Sequence, residues 1–204
     1  SFSVSISMLY QGSVEVKSFA FDNNLGGKNF TEILIDMLLE KTKEKYKIDP
    51  SSNHRAMLRF TKTAEKVKKN LSIKRAIKFD IQNFMNGIDI SFVVNREEFE
   101  ERCAELVKKI EVPIFRALEL ANVKKEDVFA IELHGGASRV KAVKDKIREI
   151  FGKDFTQSLN PDEVFSIGGG FQAAILSSQY KVDLAVKDVS PFQINIEYED
   201  DQNV

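Results

Sequence analysis

One stretch of this chain decides its fold: residues 131–140 read IELHGGASRV. An apolar strand pattern runs into a glycine pair and then into the start of a helix. Residues without side chains, next to the free N–H groups of a helix start, let a phosphate approach the backbone. A second glycine cluster follows at residues 168–170. Either cluster alone is weak evidence, but the two at this spacing together are strong evidence for such a site.

Strand and helix patterns alternate on both sides of this stretch, which is typical of α/β folds. Apolar residues alternate with serines from Phe2 to Met8, and a hairpin partner follows Gly12. We predict a central α/β part from residues 1–24 and 104–180. Its strands at 2–8 and 128–134 are expected to share one sheet.

The middle of the chain, residues 25–103, has a different pattern. Two amphipathic helices precede two alternating runs that are separated by Asn86-Gly87, a favoured hairpin turn. We predict an inserted helical and β-hairpin subdomain. The helix after it should begin with a capping box made by Asn95 and Glu98, and Pro113 should kink it or divide it in two.

Composition excludes several classes of protein. The 30 basic and 31 acidic residues nearly cancel, so nothing indicates binding to nucleic acid or to a membrane surface. Cys103 is the only cysteine, which excludes an intramolecular disulfide and favours a cytoplasmic setting. No histidine or cysteine pair indicates a metal site. The chain begins inside a strand pattern, which suggests a piece of a longer protein.

Five ordered motifs carry a resemblance to a known family. They are LGGKNF at 25–30, AEKVKKNLS at 64–72, FEE at 99–101, GGASRV at 135–140 and NPDE at 160–163. In this order and spacing they resemble the seventy-kilodalton heat-shock chaperones, over nearly the whole chain. The resemblance implies the second lobe of an actin-like (ribonuclease H-like) ATPase domain, an α/β fold with an inserted α+β subdomain.

Within that superfamily the chain is more similar to the 110-kDa heat-shock protein branch. Ser3 stands where the main branch has the aspartate of a phosphate motif, and the runs KIEVP at 109–113 and FGKD at 151–154 resemble that branch. The resemblance implies a co-chaperone that exchanges nucleotide on a seventy-kilodalton chaperone and holds unfolded polypeptides through other domains. The alternatives are the same lobe from a main-branch ATPase or from a large endoplasmic-reticulum relative; a sugar kinase fits the motif order poorly.

The resemblance also implies an adenine nucleotide site, with Mg²⁺ in the intact domain. Lys69 and Arg139 would lie on the two faces of adenine, and Ser72 would contact the base edge. The remaining matched residues are Glu65 and Lys68 for the ribose hydroxyls, Gly135 and Gly136 for phosphate, and Asp162 near the base. Without the family, the spacing of 65, 68, 69 and 72 shows only that these residues share one side of a helix.

Two departures from the family lie beside the glycine turn: Ala137 replaces a serine and His134 replaces an aliphatic residue. Taken alone, His134 is more typical of a partly buried structural histidine, and the glycines at 168–170 of close helix packing. Phosphoryl transfer needs Mg²⁺ ligands and a residue that positions water, which in the family lie mostly on the other lobe. We therefore expect no catalytic residue in this chain, no ATP turnover by it, and at best weak binding of ATP or ADP to it alone, although the full-length parent could have weak ATPase activity.

The end of the chain, residues 181–204, changes character. Residues 182–189 are predicted to be an extended interdomain linker that lies on the domain, with Leu184 and Val186 towards protein. The alternating residues 192–198 are predicted to be the first strand of a truncated substrate-binding domain, without its own sheet.

Overall fold

The alternating and amphipathic patterns fold into two hairpins and a series of helices. The structure, a computed structural model, describes residues 1–192 and 194–197. Its strands are β1 (Phe2–Tyr10), β2 (Ser13–Asp22), β3 (Ala76–Met85), β4 (Ile88–Asn95) and β5 (Ala185–Lys187). Its α-helices are α1 (Gly27–Tyr46), α2 (His54–Leu71), α3 (Arg96–Arg102), α4 (Ala104–Lys108), α5 (Glu111–Ala121), α6 (Lys141–Phe151) and α7 (Val164–Leu176). Short 3₁₀ turns cover Lys125–Asp127 and Gly136–Arg139.

The first sheet has the order β1-β2-β5. β1 and β2 are antiparallel, and β5 joins the start of β2 in parallel. Helix α5 packs against both strands of the hairpin. The buried hydroxyl of Ser18 donates a hydrogen bond of 2.6 Å to the carbonyl oxygen of Ala117, which ties this helix to β2.

The second hairpin, β3 and β4, confirms the predicted turn. Asn86 and Gly87 both have positive φ, 53° and 75°, as a two-residue turn of this kind requires. An aromatic cluster joins the hairpin to α2. The rings of Phe60 and Phe79 lie 4.9 Å apart, and those of Phe79 and Phe92 lie 5.1 Å apart. Since both Phe60 and Phe79 are fully buried, this contact fixes the hairpin on the helix pair.

The long helix predicted after β4 is divided, as expected from Pro113. α4 ends and α5 begins on either side of residues 109 and 110, and the proline lies in the first turn of α5. A proline has no N–H for the carbonyl four residues earlier, here that of Lys109, and its ring clashes with that group. The break between α4 and α5 includes Lys109.

The predicted capping box is wrong. Asn95 precedes α3 but its side chain makes no capping hydrogen bond. Glu98, expected to reach back to the Asn95 backbone, instead pairs with Lys41 of α1 at 2.8 Å. The carboxylate therefore joins two helices rather than satisfying the start of its own.

Residues 128–134 correct a second prediction, because they form no strand in the sheet of β1. The segment makes a single parallel bridge, between Glu132 and Thr156. The Leu133 N–H donates to the Thr156 carbonyl at 2.9 Å, and the Thr156 N–H donates to that of Ile131 at 2.8 Å. Two bonds to one residue are too few for a ladder, so the described part of the first sheet lacks this segment.

Helix α7 also differs from expectation. None of its residues is buried, and Phe165 and Phe171 are 74% and 58% exposed. A Cβ added at any of the glycines 168–170 would meet no atom of the described residues within 4 Å. The predicted close helix packing is therefore absent here. His134, expected to be partly buried, is exposed.

The tail lies against β2, as an extended linker should. The Ala185 N–H donates to the Gly12 carbonyl at 2.9 Å, and Lys187 pairs with Glu15 at 2.9 Å. Leu184 is half-buried, but Val186 is 43% exposed, which corrects its predicted inward orientation. Of the predicted strand at 192–198, positions 193 and 198 lie outside the described residues, and the others form no strand.

Most buried apolar side chains belong to a single cluster that extends from Leu25 to Ile150. The boundaries predicted at residues 24, 103 and 180 stay predictions. Among the described residues, no helix has both the length and the apolar character that crossing a membrane requires.

Candidate functional site

Two glycine loops meet at the start of α1. A Cβ added to Gly26 would lie 2.8 Å from the Ser1 nitrogen, so only glycine allows this close approach. A Cβ added to Gly27 would lie 3.4 Å from the Ala137 Cβ. The first turn of α1, the start of β1 and the glycine turn at 135–137 therefore lie together, although they are far apart in sequence.

The glycine turn is held in a shape that needs glycine. Gly135 has φ of 80°, a region that side chains disfavour. The buried Ser138 hydroxyl donates to the Gly135 carbonyl at 2.7 Å and accepts a hydrogen bond of 2.9 Å from the Gln157 amide. One 3₁₀ turn, rather than a direct helix start, separates the glycines from α6. Ser138 and Gln157, which our sequence prediction did not include, hold the turn in this shape through these two hydrogen bonds.

Lys68 and Glu65, both predicted site residues, lie in one hydrogen-bond network on the α1 side of α2. The Lys68 ammonium is 2.9 Å from the Gly27 carbonyl, 2.6 Å from the Thr31 hydroxyl and 2.8 Å from Glu65 Oε2. The Lys68 side chain is only 9% exposed. Burial opposes ionisation of Glu65, but hydrogen bonds from Lys68 and Thr31 outweigh it and lower the pKa of that carboxyl. The site therefore holds a carboxylate.

Thr31 was missed by sequence reasoning. A threonine inside a helix carries no special signal, and its partners Glu65 and Lys68 lie on another helix. One clue was available: Thr31 follows Gly27 by four residues, the spacing at which a hydroxyl can bond the carbonyl one turn back. That contact is present at 3.0 Å.

Arg139 and Asp162 form an ion pair beside the glycine turn. Arg139 Nη2 lies 2.8 Å from Asp162 Oδ2, and the two side chains are 39% and 64% exposed. The Asp162 N–H donates to the Asn160 side chain at 3.0 Å, which shapes the loop before α7. A Cβ at Gly136 would lie 3.9 Å from Asp162 Oδ1. Three predicted site residues are thus brought together.

A shallow groove connects the end of α2 to the start of α6. Among the residues that line it are Lys68, Ser72, Arg96, Glu100 and Lys141. Burial raises the pKa of Glu100 above its ordinary value, although Lys141 and Arg96 lower it. Arg96 Nε donates to the carbonyl of Leu71 at 2.6 Å, which satisfies the end of α2 next to Ser72. Sequence reasoning named neither Arg96 nor Glu100.

Lys69 differs from the other predicted charged residues of the site because its side chain has no bonding partner within the described part of the chain. It is exposed near the end of α2, and its side chain makes no hydrogen bond or ion pair with another described residue. The described arrangement thus offers a carboxylate at the Glu65 end, an exposed cation at Lys69, a half-buried cation at Arg139, and a glycine turn between helices. Carboxylate, guanidinium and open backbone groups are the chemistry that a sugar, a planar base and a phosphate require.

Comparison with known proteins gives a consistent result. The family model described as Hsp70 protein matches residues 1–204. Heat shock 70 kDa protein 4 of Canis lupus familiaris is 40% identical over 200 residues, which is 97% of this chain and 24% of that relative. The human protein of the same name is 39% identical over 199 residues, with the same coverage.

A fungal relative shows the same similarity. Heat shock protein hsp88 of Neurospora crassa is 38% identical over 204 residues, 100% of this chain and 29% of that protein. The chain therefore spans about a quarter of the length of the curated relatives it matches.

Proposed function

We propose, from the premise that this chain belongs to the Hsp70 protein family, that it is the second lobe of an actin-like nucleotide-binding domain in a 110-kDa-type chaperone. The observation that carries the proposal is the meeting of three matched motifs: the loop at 25–27, the turn at 135–137 and the helix face at 65–72. These motifs are far apart in sequence and lie together in the fold. Together they could supply the sugar, base and phosphate sites that a nucleotide needs.

In this proposal ATP or ADP binds along the groove between α2 and α6. Glu65 and Lys68 form the ribose end, and Lys69 and Arg139 lie on opposite faces of adenine with Ser72 at the base edge. Gly135 and Gly136 present backbone N–H groups to phosphate. Asp162 holds the Arg139 guanidinium in place, which the 2.8 Å ion pair supports.

The chain's own chemistry is binding and orientation. A nucleotide with Mg²⁺ would bring the reactive phosphate, and the residues described here would hold its sugar and base. We propose that hydrolysis needs groups of the other lobe, so residues 1–204 alone would turn over no ATP. The single, buried Cys103 suits a reducing compartment, and we propose a cytosolic one.

Nucleotide binding is tested with adenine and guanine nucleotides by calorimetry on the intact protein. Lys69→Met and Arg139→Met should each weaken ADP binding by about 2- to 30-fold, the range of a cation–π contact. Lys66→Met, at an exposed lysine of the same helix, should leave binding unchanged. Equal affinity of all three variants and the unmodified protein would refute the assigned base site.

We further propose that the protein exchanges nucleotide on a seventy-kilodalton chaperone, its partner. The exposed lysines of α1 and α2 would steer the encounter, since charged surfaces mainly set association rate and salt dependence. Release of fluorescent ADP from the partner should slow when exposed lysines such as Lys66 and Lys74 are changed to glutamate in the intact protein. An unchanged release rate across a panel of such reversals at 41–47 and 66–74 would remove these helices from the interface.

A further inference from the structure

Helix α5 has one buried face and one exposed face. Its buried residues, on the side of the first hairpin, are Pro113, Ile114, Ala117 and Leu118. The opposite face is open to solvent in the described part of the chain, yet three of its residues are apolar. Val112, Phe115 and Leu120 are 70%, 46% and 51% exposed. Because residues three, four and eight positions apart share a side of a helix, these three form one stripe rather than scattered contacts.

Two charged residues lie within the same exposed face. Arg116 Nη1 is 2.7 Å from Glu119 Oε2, and the two side chains are 57% and 70% exposed. Within the described part of the chain each of these side chains bonds only the other. A guanidinium has five donors and a carboxylate has two acceptor oxygens, so each group retains capacity for a second partner of opposite charge.

The pattern of this face is complementary to itself under a two-fold axis. In a two-fold contact, a residue that faces another residue of the second copy is faced in turn by the same pair reversed. If two copies of α5 pack antiparallel with the axis at the midpoint of residues 117 and 118, Arg116 faces Glu119 of the second copy. Phe115 then faces Leu120 of the second copy. Each pair occurs twice, so the two ion pairs join into one network with apolar contacts on both sides.

The ends of the helix follow the same rule. At equal distances from that midpoint, Val112 corresponds to Val123 and Glu111 corresponds to Lys124. Every charged residue from 111 to 124 is therefore matched with one of opposite charge. A like-charge match at any of these positions would oppose the contact. This complementarity identifies a second copy of the same chain, rather than an unrelated protein, as the occupant of the face.

We propose that the exposed face of α5 is a self-association surface on which a second copy docks antiparallel. The helix has 11 residues, which makes it about 16 Å long. One pair of helices of this length buries much less than the roughly 800 Å² per partner of a stable interface. The association is therefore weak, reversible and dependent on protein concentration. It does not rest on the proposed nucleotide function, since none of these residues belongs to the candidate site.

Sedimentation equilibrium of the intact protein, at concentrations up to about 1 mM, measures the association. Arg116→Glu and Glu119→Arg each place like charges opposite one another twice in every dimer. Each should weaken association by about tenfold or more. The double variant Arg116→Glu with Glu119→Arg should restore it, because opposite charges meet again. Arg55→Glu, the same reversal at an exposed position of α2, should leave association unchanged.

A mixture of the two single variants gives the sharpest test. On this face the Arg116→Glu variant has two acidic side chains and the Glu119→Arg variant has two basic ones. The two variants should therefore associate with each other, although each alone is largely monomeric. Only folded copies that make this reciprocal contact can regain association on mixing, so the mixture also controls for misfolding.

Three results would overturn the inference. The first is an intact protein that stays monomeric over the whole concentration range. The second is equal association of the unmodified protein and both single reversals, which would assign the contact to another surface. The third is a mixture that associates no better than its components. Phe115→Asn should weaken association without lowering the melting temperature; a lower melting temperature in a monomeric protein would show that another part of the same polypeptide covers the face.

Discussion

Replacing Lys68 by methionine should destabilise the protein, whereas the same change at the neighbouring Lys69 should not. The two lysines are adjacent on α2 and both belong to the candidate site. Lys68 has a side chain that is 9% exposed and bonds three acceptors, while Lys69 is exposed. The pair therefore separates a structural ammonium from one that only faces solvent.

The magnitude follows from the acceptors that lose their donor. Without Lys68, the Gly27 carbonyl, the Thr31 hydroxyl and Glu65 Oε2 are each deprived of a bond. Removing one partner of a buried ion pair costs about 3–5 kcal/mol. Glu65 is 40% exposed, so water replaces part of the loss, and we expect about 2–4 kcal/mol. Lys69→Met should stay within about 0.5 kcal/mol of the unmodified protein.

Urea denaturation followed by far-ultraviolet circular dichroism measures both values. The midpoint should fall for Lys68→Met with an unchanged slope, since the surface exposed on unfolding is the same. For a domain of this size each 1 kcal/mol lowers Tm by about 2–4 °C, so the melting temperature should fall by about 4–16 °C. A Lys68→Met midpoint equal to that of Lys69→Met would refute the buried network.

Three further predictions concern other parts of the fold. Phe60→Ala should cost about 3–5 kcal/mol in urea denaturation, because its ring is fully buried against the second hairpin. Burial raises the pKa of the Cys103 thiol to about 12, so iodoacetamide should react with it only after denaturation, and rapid reaction in the native protein would contradict its burial. Hydrogen bonds from Lys17 and Lys187 lower the pKa of Glu15 from 4.5 to about 2. The contact is therefore fully present above pH 4.5 and is lost as the pH falls towards 2, so amide exchange across β5, corrected for intrinsic rates, should accelerate over that range; a flat profile would exclude Glu15 from holding the tail.

Local signals predicted the local structure well. The turn at Asn86-Gly87 and the helix break before Pro113 both follow from backbone constraints that those residues impose wherever they occur. The capping box failed because it depends on competition: Lys41, from a helix more than fifty residues earlier in the chain, takes the Glu98 carboxylate. Such an ion pair can be predicted from sequence only when the positions of both residues in the fold are already known.

Non-local strand pairing was the least predictable feature. Residues 128–134 have a strand pattern, yet they pair with Thr156 alone and not with β1. Alternation of apolar and polar residues indicates which side chains face the core, but it does not identify the strand with which the segment pairs. The same limit applies to α7, in which no residue is buried although the apolar composition predicts burial.

The candidate site shows the same division. Glycine motifs and the family resemblance indicated Gly135, Arg139 and Glu65, because each matches a position to which the family assigns a contact with nucleotide. Thr31 and Ser138 were not indicated, since each acts by bonding a residue that the sequence had already named. Positioning residues are defined by a contact, and a contact between helices is visible only once the chain has folded.

The two ends of the site differ in how they are held, and this has a consequence for function. At the sugar end, Thr31 and Lys68 are buried and bonded, so Glu65 is fixed before a ligand arrives. At the base end, Lys69 is exposed and Arg139 is held only by a partly exposed ion pair. Substitutions at the sugar end should therefore change stability and affinity together, whereas those at the base end should change affinity alone. Among the residues that the structure describes, Lys69 has no side-chain partner, whereas Arg139 is already held by Asp162. In the proposed complex the planar base therefore orders Lys69 and stacks on Arg139, and the nucleotide completes the base end of a site whose sugar end is already formed.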